Sequence, residues 1–337
     1  MSITVHAAPL YFGDPFMSLV NTKKNCSFNI KKTGLACALT LSALFTTHTA
    51  FADVTVDTKY GAVTVKDNPE RVVTLFEGAL DTAYALGVTP VGVIATRGAD
   101  RPADYMFEKT GKIDVVGTAR ETNLEAVLAL KPDVILASSR LSKEQYDLLS
   151  NIAPTVVPNF TPYQADTWKN ESRLFAHALS KDESIEQLIS TIEKRTQSLS
   201  SLLNTTHPDE SKTSLVRWMP QGPLLMSTGT FASTLLKASG FVIEDTGLVK
   251  AGRPHSSSLS LENLSVIDGD WLFLATLNED GKKSLQEATQ SPAFSRLNVV
   301  KDERVIPVDG QVWTSASGPI AANLVLDTIE NVIKTVQ

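Results

Sequence analysis

Short apolar runs alternate with amphipathic stretches over the first half of the chain. Strands are predicted at 71–75 (RVVTL), 91–96 (VGVIAT), 133–138 (DVILAS) and 155–158 (TVVP). Helical spacing falls between them, at 78–87 (GALDTAYALG), 124–131 (LEAVLALK) and 142–152 (SKEQYDLLSNI). Strands and helices that alternate with short connections specify a parallel sheet covered by helices. The rhythm then changes. After a helical segment at 166–180, residues 181–203 (KDESIEQLISTIEKRTQSLSSLL) run without Gly or Pro. Ile185, Leu188, Ile189, Ile192, Leu199, Leu202 and Leu203 fit one helical stripe. Ser180 or Asp182 is expected to cap this helix, with Glu183 and Glu186 favourable near its positive end. At 1.5 Å per residue it is about 35 Å long, enough to run from one domain to the next. It stops before the turn-rich THPDESK (206–212), and the alternation resumes. Strands are predicted at 213–219 (TSLVRWM), 223–227 (PLLMS), 271–276 (WLFLAT) and 305–309 (VIPVD), with helices at 229–238 and from Ile320 onward.

One phrase occurs twice. Residues 123–137 (NLEAVLALKPDVILA) and 260–274 (SLENLSVIDGDWLFL) align without a gap, matching Leu124 with Leu261, Glu125 with Glu262 and Asp133 with Asp270. Each copy reads as a polar cap, a short helix and an apolar strand. The predicted architecture is therefore α/β: two similar lobes, 53–180 and 207–337, with mainly parallel sheets, joined by a single long α-helix at 181–206. The paired glutamates have two readings at this level. Each favours the positive end of its helix, or each lobe offers one exposed acid to a common partner.

The first 52 residues differ in character. Lys23, Lys24, Lys31 and Lys32 precede the apolar run GLACALTLSALF (34–45), and Ala50-Phe51-Ala52 forms a small-residue site. That layout is a secretory signal peptide cleaved after Ala52; about 12 apolar residues fall short of the ~20 that span a bilayer. Met17 would start a complete signal as well as Met1 does. Gly34-Leu35-Ala36-Cys37 resembles a lipoprotein site, but the apolar run continues past the cysteine. Both cysteines, Cys26 and Cys37, leave with the signal, which excludes disulfides and thiolate chemistry from the mature chain. Loss of this segment takes the formal net charge from −6 to about −9, unlike a nucleic-acid-binding surface.

Catalytic punctuation is missing: no G-x-S-x-G elbow, phosphate-binding G-x-x-x-x-G-K-[ST] loop, H-E-x-x-H pair or dinucleotide fingerprint occurs. The mature chain keeps His177, His207 and His255 in three separate contexts, a weak basis for a metal site. The informative residues are arginines beyond the carboxyl ends of predicted strands, where open α/β sheets bind ligands. Arg97 and Arg101 follow 91–96, with Tyr105 just after; Arg140 follows 133–138; Arg120 precedes the first copy of the repeat. In the second lobe Arg217 and Trp218 end 213–219, Arg253 precedes the second copy beside His255, and Trp313 follows 305–309. Guanidinium groups pair with carboxylates through two parallel hydrogen bonds, so this set suits a polyanionic ligand. The tryptophans are candidates for the walls.

These residues resemble the periplasmic binding proteins of iron(III)-siderophore and cobalamin ABC importers, over essentially the whole mature chain. The likeness rests on NPERVVTL (68–75), GALDTAYALGVTPVGV (78–93), VGTARETNLEAVLALKPDVILASSR (116–140) and LSNIAPTVV (149–157), then 215–241 and 304–322. It is nearest to the ferric-dicitrate and carboxylate-siderophore branch. The resemblance implies the helical-backbone fold, in which two Rossmann-like lobes close only slightly on a ligand. By it, Arg140 and Arg217 would be ligand arginines of the two lobes, Arg97 and Arg120 less constant contacts, and Glu125 and Glu262 the docking acids for a membrane permease with its ATPase. Iron would be held through the chelator, without direct protein ligands or a cofactor, by a monomeric, non-enzymatic periplasmic protein. Catecholate siderophores, haem and cobalamin are the rival ligands; a siderophore-processing enzyme and a peptide-binding module are the remoter rivals. Gly269 departs from the repeat, standing where the first copy has Pro132.

Overall fold

The computed structural model describes residues 53–336. The signal-peptide reading of 1–52 lies outside the described residues. The described chain begins with an antiparallel hairpin, β1 (Val54–Thr58) and β2 (Gly61–Val65), turned at Gly61 with φ 114°. Its valines alternate with polar residues, and Val56 and Val65 are fully buried, as a half-buried ribbon requires.

The first lobe is built on β3 (Val72–Leu75), β4 (Gly92–Ala95), β5 (Asp114–Thr118), β6 (Val134–Ala137) and β7 (Thr155–Val156), all parallel in the order β5-β4-β3-β6-β7. Helices α1 (Glu77–Ala85), α2 (Asp104–Thr110), α3 (Leu124–Ala129) and α4 (Lys143–Ser150) make the crossovers. Every residue of β3, β4 and β6 is buried, because helices cover both faces and leave no side for polar alternation. Val73, Ile135 and Leu149 fill one face; Val72, Val134, Leu136 and Phe175 fill the other.

Two helices lead out of this sheet, α5 (Thr167–Ala178) and α6 (Asp182–Thr206). The 25 residues of α6 make a rod of about 37 Å. Its buried stripe is Ile185, Ile189, Ile192, Thr196, Leu199 and Leu203, which keeps the 3–4 spacing of one helix face. The expected cap is corrected. Lys181 occupies the capping position without a side-chain bond. Ser180 sits at φ 58° and its hydroxyl accepts from Asn68 N, while Asp182 lies 3.0 Å from the His177 ring. Ion pairs tie α6 to α5, Lys169–Glu193 and Arg173–Glu186, both at 2.6 Å.

The second sheet comprises β8 (Lys212–Met219), β9 (Gly222–Leu225), β10 (Val242–Ile243), β11 (Trp271–Thr276) and β12 (Val305–Asp309). The order is β10-β8-β11-β12, all parallel, with β9 folded back antiparallel on β8. Around it lie α7 (Phe231–Ala238), a 3-10 helix (Leu261–Ile267), α8 (Glu279–Thr289), α9 (Pro292–Ser295), α10 (Asn298–Lys301), α11 (Gly310–Thr314) and α12 (Pro319–Thr335). Arg195 of α6 reaches Asp327 and Glu330 of α12 at 2.6 and 3.0 Å.

The repeated phrase occupies equivalent places. The main-chain N–H of Asp133 donates to Arg71 O, and its carboxylate accepts from Arg71 N and Glu70 N. Asp270 does the same to Lys212, at 2.8 Å in both directions. Each aspartate thus pins the entry of its own strand to that of the neighbouring strand, β3 or β8. The helices of the two copies differ. Asn123 caps α3 by accepting from Ala126 N at 3.0 Å, whereas Ser260 makes no cap bond. Ser265, Val266 and Ile267 are weaker helix formers than the Ala and Leu of the first copy, and Leu261–Ile267 takes 3-10 geometry along its whole length. Gly269 has a local reason: a Cβ there would stand 2.9 Å from Lys212 O.

Candidate functional site

Both sheets point the carboxyl ends of their strands at one cavity of about 140 Å³. From the first lobe, the turn after β3 brings Phe76 and Glu77, the loop after β4 brings Arg97, and the loop after β6 brings Ser138, Ser139 and Arg140. Tyr163, Trp168 and Glu171 enter from α5 and the loop before it. The second lobe contributes Arg217 from β8, Gly229 to Phe231 from the start of α7, and Trp313 to Ser317 from α11 and the loop beyond.

Three predicted arginines therefore meet. Arg97 and Arg140 are exposed, whereas Arg217 is 3% exposed. None has an acidic partner within ion-pair distance among the described residues. Arg140 Nη1 donates to the Tyr163 hydroxyl at 3.4 Å, and Arg217 Nε has no partner. Burial, with the like charge of Arg97 nearby, lowers the Arg217 guanidinium to about 10. A positive group so placed is costly in the empty protein and ready to take an anion.

The other predicted contacts go elsewhere. Trp218 is 1% exposed in the core of the second lobe, edge-on to Phe294 at 6.1 Å. Successive residues of a strand face opposite sides, so β8 cannot send both Arg217 and Trp218 into the cleft. Tyr105 is also corrected: its hydroxyl donates to Asp81 Oδ2 at 3.0 Å, inside the fold. Arg120 and Arg253 are exposed and do not line the cavity, although their neighbours Ala119 and Pro254 do. Arg101 is spent on Asp104 at 3.0 Å and on the face of Phe107. His255 bonds to the main chain through Nδ1 and Ser256 O. Trp313 does line the cleft; it is 3% exposed and stacks on Phe273 at 4.9 Å. Glu125 and Glu262 are exposed in the first turns of their helices, close to the exposed Leu128 and Leu261.

The cavity is also lined by two acids, Glu77 and Glu171. Glu171 is 7% exposed; burial pushes its carboxyl up to about 7, against the charge of Arg140. Glu77 is raised by burial too, with Arg97 and Arg140 opposing. Both were legible. Glu77 follows a strand as the arginines do, and Glu171 shares the apolar face of its helix with Trp168 and Phe175 at i−3 and i+4.

The walls also touch each other. The Asp81 carboxylate of α1 accepts from Ile320 N and Ala321 N at 2.8 Å each, capping α12 of the second lobe. Trp168 meets Phe231 edge-on at 5.6 Å. Gly229 abuts the carbonyl of Tyr163 so closely that any Cβ would overlap it.

A sequence model described as a periplasmic binding protein matches residues 72–312, which takes in both sheets and the cavity. The chain belongs to the periplasmic binding protein family. Among relatives of this binding protein is a probable siderophore-binding lipoprotein, YfiY of Bacillus subtilis, 32% identical over 78% of this chain and 82% of that one. The Fe(3+) dicitrate-binding periplasmic protein FecB of Escherichia coli is 26% identical over 83% of this chain and 90% of its own. A crystal structure of Staphylococcus aureus SirA complexed with staphyloferrin B superposes with a TM-score of 0.72 at 27% identity, covering 82% of this binding protein and 96% of SirA.

Proposed function

We propose that this chain is the substrate-binding protein of an ABC importer and captures a ferric siderophore of the carboxylate, citrate-like kind. The observation that carries this reading is the convergence of Arg97, Arg140 and Arg217, from two lobes and without acidic partners, on one cavity. Each guanidinium can pair with a ligand carboxylate, and Trp313 and Phe231 supply apolar wall. Iron is cargo, held by its chelator. Among the described residues no cluster of His, Cys, Asp and Glu is arranged for a metal ion. The protein works as a monomer outside the cytoplasm, exported by a signal removed after Ala52. Glu125 and Glu262 then dock the loaded protein on a permease, and the ATPase of that permease drives release inward.

The test is a titration of the mature protein with ferric citrate, other ferric carboxylate chelates, ferric catecholates, haem and cobalamin, followed by tryptophan fluorescence. Submicromolar binding of a ferric carboxylate chelate, with weak binding of the iron-free chelator, is expected. Binding of cobalamin or haem alone would overturn the assignment.

A further inference from the structure

The cavity is built for more than an anion. Glu171 lies in its wall at 7% exposure, and its carboxyl has no hydrogen-bond partner among the described residues. Glu77 lines the same wall from the start of α1. No guanidinium stands within ion-pair distance of either acid among the described residues, so three arginines and two carboxyls line one cavity without pairing with one another. The Arg140 guanidinium touches only the Tyr163 hydroxyl, and Glu77 is held by its own main chain, which leaves Glu171 as the acid without a partner. A ligand made only of carboxylates satisfies the arginines but sets its own negative oxygens against two acids, Glu171 buried and Glu77 half-buried. Such a clash costs affinity. A ligand with a cationic donor among its carboxylates satisfies both sets, because a buried carboxylate without a donor is costly and becomes favourable once paired.

Resting on the siderophore reading above, we infer that the cleft selects ferric carboxylate chelates that also carry an ammonium group. Glu171 is the residue that recognises the ammonium, with Glu77 lining the same cavity. The arginines hold the carboxylates around the iron; Glu171 reads the chelator's basic arm. Ferric citrate, which has no such arm, then binds as an incomplete ligand.

The experiment compares two probes on the full mature chain by titration calorimetry: ferric citrate, and the ferric complex of a citrate amide bearing a free primary amine. Wild-type protein is expected to bind the amine-bearing chelate at least tenfold more tightly. Glu171→Gln keeps the size of the side chain and removes its charge. It should weaken the amine-bearing chelate at least tenfold while leaving ferric citrate unchanged or tighter. Acetylating the amine of the chelate should weaken binding to the wild type by a similar factor, with no variant needed. If both chelates bind but Glu171→Gln and acetylation shift their ratio less than threefold, the ammonium site is wrong and the siderophore reading stands. If neither chelate binds the wild type, the siderophore reading fails and this inference fails with it.

Discussion

The two walls of the cleft are built from the same kind of sheet yet differ in kind. The first lobe presents Arg97 and Arg140, exposed, together with Glu77 and Glu171. The second lobe presents one charge, Arg217, buried on β8 and surrounded by aromatic and small residues. A hydrated guanidinium gives up its water to bind and gains little net energy, whereas a guanidinium already stripped of water has paid that cost in folding. The first wall is therefore suited to collecting and sorting a charged ligand, and the second to fixing it. The contact of Asp81 with α12, and that of Gly229 with Tyr163, hold the two walls together, consistent with a cleft that closes through a small range.

This contrast can be broken in graded steps. The largest single loss of affinity is expected from Arg217→Ala, about 3 kcal/mol or roughly a hundredfold, against about 1.5 kcal/mol for Arg97→Ala or Arg140→Ala; calorimetry of the three variants checks the ranking, and equal losses would erase the distinction between the walls. Stability should move the other way. Arg217→Met removes an unpaired buried charge and should stabilise the empty protein by about 1–3 kcal/mol, read as a higher midpoint in thermal unfolding; a lower midpoint would show that Arg217 is satisfied in the empty cleft.

The acids of the first wall give a pH signature. Burial raises Glu171 to about 7, so between its ordinary value and 7 the folded state keeps a proton that the unfolded chain has lost. Stability is then full below about pH 4.5 and falls as pH rises through 7, by up to about 3 kcal/mol. Glu171→Gln should flatten that slope in urea titrations; an unchanged slope would assign it to Asp81, the other carboxyl that burial carries to about 7. The smallest effect is expected outside the cleft. Glu125→Ala with Glu262→Ala should change affinity less than twofold and stability by under about 1 kcal/mol, while iron uptake by cells is lost; persistent uptake would reduce both acids to helix-end charges.

Much of this architecture is written in the sequence. The wholly apolar strands β3, β4 and β6 and the unbroken stripe of α6 are read directly, since burial on both faces or along one stripe leaves a pattern. Other elements are absent from the sequence expectations. The hairpin β1–β2 alternates plainly but is short. Helix α8, Glu279–Thr289, is mostly polar and has only Gly281 and Ala288 buried, too little for a stripe. The site was legible by position rather than by identity. The rule that ligands sit beyond strand ends finds Arg97, Arg140 and Arg217, but it cannot separate them from Arg101, Arg120 and Arg253, whose directions depend on loop geometry. Trp218 could have been excluded beforehand, since it adjoins Arg217 on one strand. Glu77 and Glu171 were missed because a search for an anion site looks past acids.

The central claim is that guanidinium groups from both lobes close on one ferric carboxylate chelate. The most direct test is titration of Arg140→Ala/Arg217→Ala, one arginine from each wall, with the chelate the wild type binds best, and with folding checked by circular dichroism. A folded double variant that binds at least a thousandfold more weakly is the predicted result. Affinity within about threefold of wild type would contradict it.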